Sequence, residues 1–409
     1  MIFEKKCRCY RLRGDHRLVK QVNQTQILDY IRKNGPVSIA QIAERTQLTF
    51  PAVSNIVKEL LHSSILSVRG VGKSSGGRKP LLYKLNSEAL YVIGVDLSVD
   101  DIKAALFNFE TQIVAQARRD APASGEPEDY VQSVADLIES LVKQAGIVYD
   151  KVLGVGVSAP GPINEETGEV IHPPNLPRWG VFPLRQRLEE KLRVPVKLEK
   201  DANVSALGEK WFGAGQDVNH LIYILVGEGI GGGILIGGQL YRGNRFGAGE
   251  IGHGTIDLDG PRCNCGNYGC LEAMASGLAM VRRIGEELRR EADSSFYPQD
   301  EPLTLSLVLE ALQQGDPLTQ RVVEETSRIL GIGISGIVNA FQPQKVIIGG
   351  KIPRAYPKMV EIAADIAKRR VISVFRDHVA IVPSALGGKS AMTGAAALVL
   401  EEIFTFQFT

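Results

Sequence analysis

The sequence predicts a two-part α/β protein, with a small basic head of short helices and a hairpin over residues 1–87 and a larger α/β body over 88–409. Charge is sharply segregated: residues 1–86 carry 16 Lys and Arg against 5 Asp and Glu, a net of +11, while the remainder carries a net of −10 beneath an overall +1. Helical periodicity fills the head, whereas in the body apolar runs bounded by glycine turns alternate with helical stretches. Hydrophobic residues make up 44% of the chain, yet no apolar run approaches the length of a membrane span. The N-terminus is rich in Lys and Arg without the apolar stretch of a signal peptide, so a cytoplasmic protein with no membrane partner is expected.

In the head, Ile27, Tyr30 and Ile31 share one helical face, and Asn34-Gly35-Pro36 stops that helix. Ser38 begins a second helix, with Gln41 three residues on completing a capping box, and Ile39, Ile42 and Ala43 form its apolar face. Thr49 can cap a third, with Pro51 tolerated in the first turn. This helix buries Val53, Ile56, Val57, Leu60 and Leu61. Two helices joined by so tight a turn make a helix-turn-helix, and the third helix is the one that enters a major groove. Ser54 and Asn55 are placed to reach base edges and Lys58 to reach phosphate, with Thr49 a further DNA-binding candidate. Strand 65–69, the basic glycine loop 70–80 and strand 81–85 then read as a wing. Its Lys73, Arg78 and Lys79 suit phosphates or a narrow minor groove, so the expected partner of the head is duplex DNA.

In the body, Tyr91–Leu97 and Ile102–Phe107 read as a β-hairpin, 152–157 as a strand, and 221–226 with 234–236 as strands flanking the glycine turn 227–233. Helical stretches fall at 129–144, 183–192 and 321–340. The strand–turn–strand unit near 91–107 recurs near 221–236, which predicts two lobes of similar topology with a cleft between them.

Of the five cysteines, Cys7 and Cys9 sit in the N-terminal tail, and Cys263, Cys265 and Cys270 crowd into eight residues. Three soft ligands on a glycine-containing loop, with His253 ten residues earlier, form a Cys₃His set for zinc. Four protein ligands close the coordination sphere, so the expected Zn²⁺ is structural rather than catalytic. Glu250 and Glu272 flank this loop, which would hold both carboxylates rigidly enough to accept paired hydrogen bonds from sugar hydroxyls. Asp201, after the strand Val194–Leu198, is a further ligand or general base at a strand end.

Together these residues resemble the repressor branch of the ROK family (repressors, open reading frames and sugar kinases), over essentially the whole chain. The resemblance rests on Leu18–Asn23 before the helix-turn-helix, Ser75–Pro80 in the wing, Gly249–His253, and Cys263-Asn264-Cys265-Gly266-Asn267-Tyr268-Gly269-Cys270-Leu271-Glu272. It implies a winged helix-turn-helix on a two-lobed, actin-like (ribonuclease-H-like) sugar kinase fold. Lobe one is expected over 88–200 with a C-terminal helix over 388–404, and lobe two over 201–387 with the zinc loop 253–270. It implies that His253, Cys263, Cys265 and Cys270 bind zinc, and that Glu250, Glu272 and the second ring nitrogen of His253 contact a sugar. Asn175 falls at the family's sugar-contacting Asn, and Asp201 at its sugar-binding acid, the catalytic base of the kinases. Lys200 stands where many of those kinases have Asn.

The nucleotide side departs from the kinases. Their Gly-Gly-Thr turn is replaced by Ser98-Val99-Asp100 after Asp96-Leu97, and their Gly-Thr-Gly by Gly227-Glu228-Gly229; Gly349-Gly350, where the kinases hold adenosine, remains. Two like charges 4 Å apart repel by about 4 kcal/mol at an effective dielectric near 20, so carboxylates placed beside phosphates oppose ATP. The expectation is therefore a non-enzymatic repressor of sugar genes that binds operator DNA and a small sugar effector as a homodimer or dimer of dimers. An active ATP-dependent sugar kinase with an added DNA-binding head, using Asp201 as base, is the alternative.

Overall fold

The computed structural model describes residues 16–73, 79–244, 247–290, 296–297 and 302–405; Cys7, Cys9 and Arg78 lie outside them. The head consists of α1 (His16–Asn34), α2 (Ile39–Thr46), α3 (Phe50–His62) and an antiparallel pair, β1 (Leu66–Val71) and β2 (Leu81–Leu85). The Ser38–Gln41 capping box forms as expected. Thr49 occupies the N-cap position of α3, but its side chain makes no cap hydrogen bond, contrary to the capping role expected of it. Helix α1 starts earlier than its apolar spacing indicated. Leu61, expected in the core, is only half-buried, while Val53, Ile56, Val57 and Leu60 are buried. Val37 pairs with Tyr83 through two backbone bonds of 2.9 and 2.8 Å, tying the start of α2 to the hairpin.

Two five-stranded sheets organise the body. The first is built from β3 (Tyr91–Leu97), β4 (Asp101–Asn108), β5 (Ile113–Asp120), β6 (Val152–Ala159) and β10 (Val196–Lys200). Helix α4 (Pro127–Gln144) precedes β6. A small three-stranded sheet, β7 (Ile163–Asn164), β8 (Glu169–Ile171) and β9 (Val181–Phe182), and then α5 (Leu184–Leu192) lie between β6 and β10. Helix α6 (Asp201–Phe212) leads to β11 (Leu221–Val226), β12 (Ile230–Ile236) and β13 (Gln239–Leu240). After the loop 241–270 come α7 (Leu271–Ala275), α8 (Gly277–Arg289), α9 (Leu305–Gln314) and α10 (Pro317–Phe341). Then follow β14 (Lys345–Gly349), α11 (Lys351–Ala355), α12 (Lys358–Arg370), α13 (Ser373–Arg376), β15 (Ala380–Pro383) and α14 (Ser390–Phe404).

The sheet orders are β10-β6-β3-β4-β5 and β13-β12-β11-β14-β15. Read by order of appearance, both are 3-2-1-4-5, with the first three strands antiparallel and the last two joining in parallel. The recurrence of 91–107 near 221–236 is therefore a repeat of whole lobes. Strand β5 was not expected: its residues are mostly exposed, so it carries no apolar signal.

Helices α6 and α14 cross where the lobes meet. A Cβ on Gly394 would lie 1.6 Å from Val204 O, and one on Gly208 2.5 Å from Ser390 O, so the helices touch backbone to backbone. Helix α14 also supports the head. Met392, Ala396, Val399, Leu400, Ile403 and Phe404 form one apolar core with Ile27, Leu28 and Ile31 of α1 and Phe107 of β4.

Candidate functional site

The loop after β13 is folded by its glycines. Gly249 adopts φ 84°, and a Cβ there would meet Gly232 O at 2.1 Å, so only glycine lets the loop seat against β12 and present Glu250 and His253. Gly269 adopts φ 62°, with its Cβ position 1.5 Å from Asp257 O. That close approach returns the chain so that Cys270 pairs with Thr255 and leads into α7.

This folding gathers His253, Cys263, Cys265 and Cys270, whose ligand atoms all lie within 4.8 Å of one another. Cys265 Sγ is 3.7 Å from Cys270 Sγ, and Cys263 Sγ is 3.6 Å from His253 Nδ1. Tetrahedral coordination with metal–sulfur bonds of about 2.3 Å requires sulfur–sulfur edges of about 3.8 Å, so the four can hold a metal ion. Burial, joined by the neighbouring thiols, pushes the Cys270 thiol up to about 12, and burial also raises Cys263. The backbone N–H of Asn267 lowers exposed Cys265. The two buried thiols thus need a cation to be held as thiolates.

The second ring nitrogen of His253, Nε2, lies 3.8 Å from Glu250 Oε2. The other oxygen of Glu250 accepts a 2.8 Å bond from Lys200 Nζ, which also donates to Ala248 O at 3.4 Å. Asp201, next along the chain, heads α6 and accepts its own following N–H, from Ala202, at 2.7 Å. Burial raises the Asp201 carboxyl, with Glu250 and Glu199 adding to the effect and Lys200 opposing it. Glu272, in the first turn of α7, accepts from Ile230 N at 2.9 Å and lies 3.9 Å from Cys263 Sγ. Glu250 thus lies within range of both His253 and Asp201, and Glu272 lies beside Cys263 of the metal loop. Asn175 is exposed on the turn before Trp179 and makes no hydrogen bond to this group among the described residues.

Three residues that the sequence reading missed stand beside the group. Arg242 is clasped by Glu165 of the β7–β8 turn and, at 2.9 Å, by buried Glu199. Burial and Glu199 push Glu165 up to about 8. Burial works against Glu199, but hydrogen bonds from Glu165, Arg242 and Asn203 keep it below its ordinary value. Glu165, Glu199 and Arg242 tie the first lobe to the loop that carries Glu250.

The two nucleotide turns offer few free donors. Ser98 Oγ accepts from the N–H groups of Asp100 (3.4 Å) and Asp101 (3.2 Å), and Asp100 is paired with Lys351. In the second turn Gly227 N donates to Gly229 O at 3.0 Å, and Ile230 N is taken by Glu272. Burial, with Asp201 and Asp101 adding, pushes Asp96 between them up to about 6 despite Lys103.

In the head, Thr49, Asn55 and Lys58 are exposed on or beside α3 and Ser54 is half-buried. Lys73 and Lys79 are exposed at the two ends of the wing loop, whose Arg78 is outside the described residues. None of the five exposed or half-buried residues Ser54, Asn55, Lys58, Lys73 and Lys79 is tied up in a hydrogen bond or ion pair among the described residues.

Comparison with known proteins sets this geometry in context. The ROK family profile matches residues 92–402. The chain belongs to the ROK family. A MarR family profile matches residues 21–66, within the head. The xylose repressor of Caldicellulosiruptor bescii is 34% identical over 395 residues, covering 96% of this chain and 99% of that protein. The crystal structure of a ROK family transcriptional regulator, a homolog of the Escherichia coli MLC protein, superposes with a TM-score of 0.81 at 26% identity, over 95% of this chain and 97% of that one. A ROK hexokinase from Thermus thermophilus reaches a TM-score of 0.65 at 32% identity over 77% of this chain and 99% of its own. This ROK chain is a winged helix-turn-helix on an actin-like kinase fold, and the regulators match it end to end where the hexokinase matches about three quarters. No helix among the described residues is long and apolar enough to cross a membrane.

Proposed function

We propose that this protein is a non-enzymatic, cytoplasmic transcriptional repressor of sugar genes, with a DNA-binding head over 1–87 and a sugar-sensing body over 88–409. One observation carries the reading: His253 turns Nδ1 toward Cys263 of the thiol cluster and Nε2 toward Glu250, joining the metal loop to a carboxylate. Zn²⁺ suits the donor set and, with four protein ligands, serves as structure. It fixes the ring of His253 and, through the 263–272 loop, Glu272. Glu250, His253, Glu272 and Asp201 then read the hydroxyls of a small neutral sugar, with exposed Asn175 as a further contact. Full-length similarity to a xylose repressor supports a monosaccharide.

Lys200 holds one Glu250 oxygen, so a sugar hydroxyl must share or displace that bond. Asn55, Lys58, Thr49 and Ser54 face the major groove, and Lys73 and Lys79 flank the wing loop that meets the backbone. The head acts in a dimer, because paired half-sites lie a whole number of helical turns apart.

Sugar occupancy is communicated through α6. The helix starts at Asp201 and ends at Trp211-Phe212, where Arg32 of α1 stacks on Trp211 at 4.3 Å and on Phe404 at 5.5 Å. Phe212 stacks on Phe107 at 6.2 Å. A shift of α6 on sugar binding thus bears on the head through one packed helix. The kinase alternative has less support, since Ser98, Gly229 and Glu272 already occupy N–H groups of the turns that would cradle phosphate.

The test is fluorescence anisotropy of DNA from the region upstream of the coding sequence, with a panel of pentoses and hexoses. A sugar that changes DNA affinity at least about five-fold supports the reading. ADP formation abolished by Asp201→Ala, with DNA affinity indifferent to every sugar, would replace it with the kinase.

A further inference from the structure

The three thiols of the metal loop are not equivalent. Cys263 and Cys270 are buried, whereas Cys265 is exposed. It lies on a surface turn in which Cys263 N donates to Asn267 O at 2.7 Å and Gly266 N to Cys263 O at 3.0 Å, and residues 264–268 are all exposed. Gly266 adopts φ 96° with open space where a Cβ would stand, so among the described residues nothing covers the turn there. Cys265 Sγ faces Cys270 Sγ at 3.7 Å, while Cys263 Sγ faces His253 Nδ1 at 3.6 Å and Glu272 Oε1 at 3.9 Å. A disulfide needs about 2.0 Å between its sulfurs, so the two must approach by about 1.7 Å. Cys270 is held in place, since it is fully buried, pairs with Thr255 and immediately precedes α7. The exposed turn is the part that can move. One sulfur is thus open to a small oxidant, and a fixed, buried sulfur stands behind it to resolve the product.

We propose that Cys265 and Cys270 form a reversible oxidation site, at which hydrogen peroxide converts two metal-ligating thiolates into a disulfide. The Cys265 thiolate attacks one peroxide oxygen and breaks the O–O bond, giving a sulfenic acid and hydroxide. The Cys270 thiolate then attacks the Cys265 sulfur; the S–S bond forms, the S–O bond breaks and a second hydroxide leaves. Two electrons pass from the sulfurs to peroxide, and two solvent protons turn both hydroxides into water. His253 and Cys263 are then the remaining ligands, two short of the four that hold zinc as structure. The metal is released, and a dithiol reductant with zinc restores the loop. The site rests on the metal reading of the loop and not on the sugar reading. Where the sugar reading also holds, oxidation removes what fixes His253 and Glu272, so the sugar response is lost with the metal.

The test treats full-length, zinc-loaded protein with excess hydrogen peroxide, in a Cys7→Ser/Cys9→Ser background that leaves only the three loop thiols. Zinc release is followed with a chromophoric chelator, and the disulfide is mapped by mass spectrometry of non-reduced peptides. About one zinc ion per chain should appear in step with a Cys265–Cys270 disulfide, and dithiothreitol with added zinc should reverse both. Cys265→His keeps four ligands, so it should retain zinc and slow its release at least ten-fold. Zinc that stays bound under peroxide, release with Cys263 in the disulfide or with no disulfide, or release from Cys265→His as fast as from wild type overturns the proposal. Protein that takes up no zinc at all would overturn the metal reading and this proposal with it, a result seen before peroxide is added.

Discussion

Replacing Trp211 by leucine should weaken the link between sugar and DNA while leaving both ligands bound. Trp211 lies at the far end of α6 from Asp201, touching neither the carboxylate group nor the recognition helix. Arg32 sits 4.3 Å above its ring and is itself largely buried, with 13% of its side chain exposed. A cation over an aromatic face contributes about 0.5–1 kcal/mol when exposed and about 2 kcal/mol when desolvated, and this pair lies toward the desolvated end. If the stack is kept in one lobe arrangement and lost in the other, its whole energy enters the coupling between the two ligands. Losing 1–2 kcal/mol then shrinks the sugar-induced change in DNA affinity by about 5- to 30-fold. The assay is DNA anisotropy with and without saturating sugar, alongside calorimetric sugar binding. No contact to either ligand is removed, so both should still bind to saturation, and the shift in lobe preference should appear as opposite changes in DNA affinity without sugar and in sugar affinity without DNA. Trp211→Phe keeps a weaker ring face and should fall between. A full sugar response in Trp211→Leu, with both affinities intact, would refute transmission through this contact.

Four further outcomes follow from the same geometry. Cys265→Ser changes an exposed thiol and leaves the packing intact, so it should lower metal retention about ten-fold or more and lower the melting temperature, as read by metal analysis and calorimetry. Glu165 has a folded value of about 8 against an ordinary 4.5, so its stabilising contribution is complete below 4.5 and is lost as pH rises through about 8. The melting temperature of wild type relative to Glu165→Gln should accordingly fall between pH 5 and 9, and a difference independent of pH would refute the raised Glu165 carboxyl. Gly394→Ala gains about 1 kcal/mol of helix propensity but drives a Cβ into Val204 O of α6, a backbone atom with nowhere to go, so denaturant unfolding should show a net loss of about 2 kcal/mol or more. Lys58→Ala should weaken DNA binding across sequences and reduce the slope of log affinity against log salt by about 1.

The parts of the site that could be read from the sequence are those whose partners are neighbours along the chain. His253, Cys263, Cys265 and Cys270 fall within one loop, so their spacing already brings four ligands within reach of one ion. The Ser38–Gln41 capping box spans three residues and formed as read. Thr49, a cap by type, made no cap bond, since residue type does not set the side-chain torsion that a cap needs. Strand β5 escaped notice because an exposed edge strand has no apolar alternation to betray it.

By itself the sequence determined the cationic head, the metal loop and the α/β alternation. Each depends on local periodicity, ligand spacing or net charge, which a linear chain carries without folding. Only the tertiary structure decided that Lys200 holds Glu250 fifty residues away, that Arg242 joins Glu165 to Glu199, and that Arg32 of the head lies on Trp211 of the body. Such pairs form because two sheets of the same 3-2-1-4-5 order meet across α6 and α14. Contacts between residues far apart in the chain leave no mark on the pattern around either one.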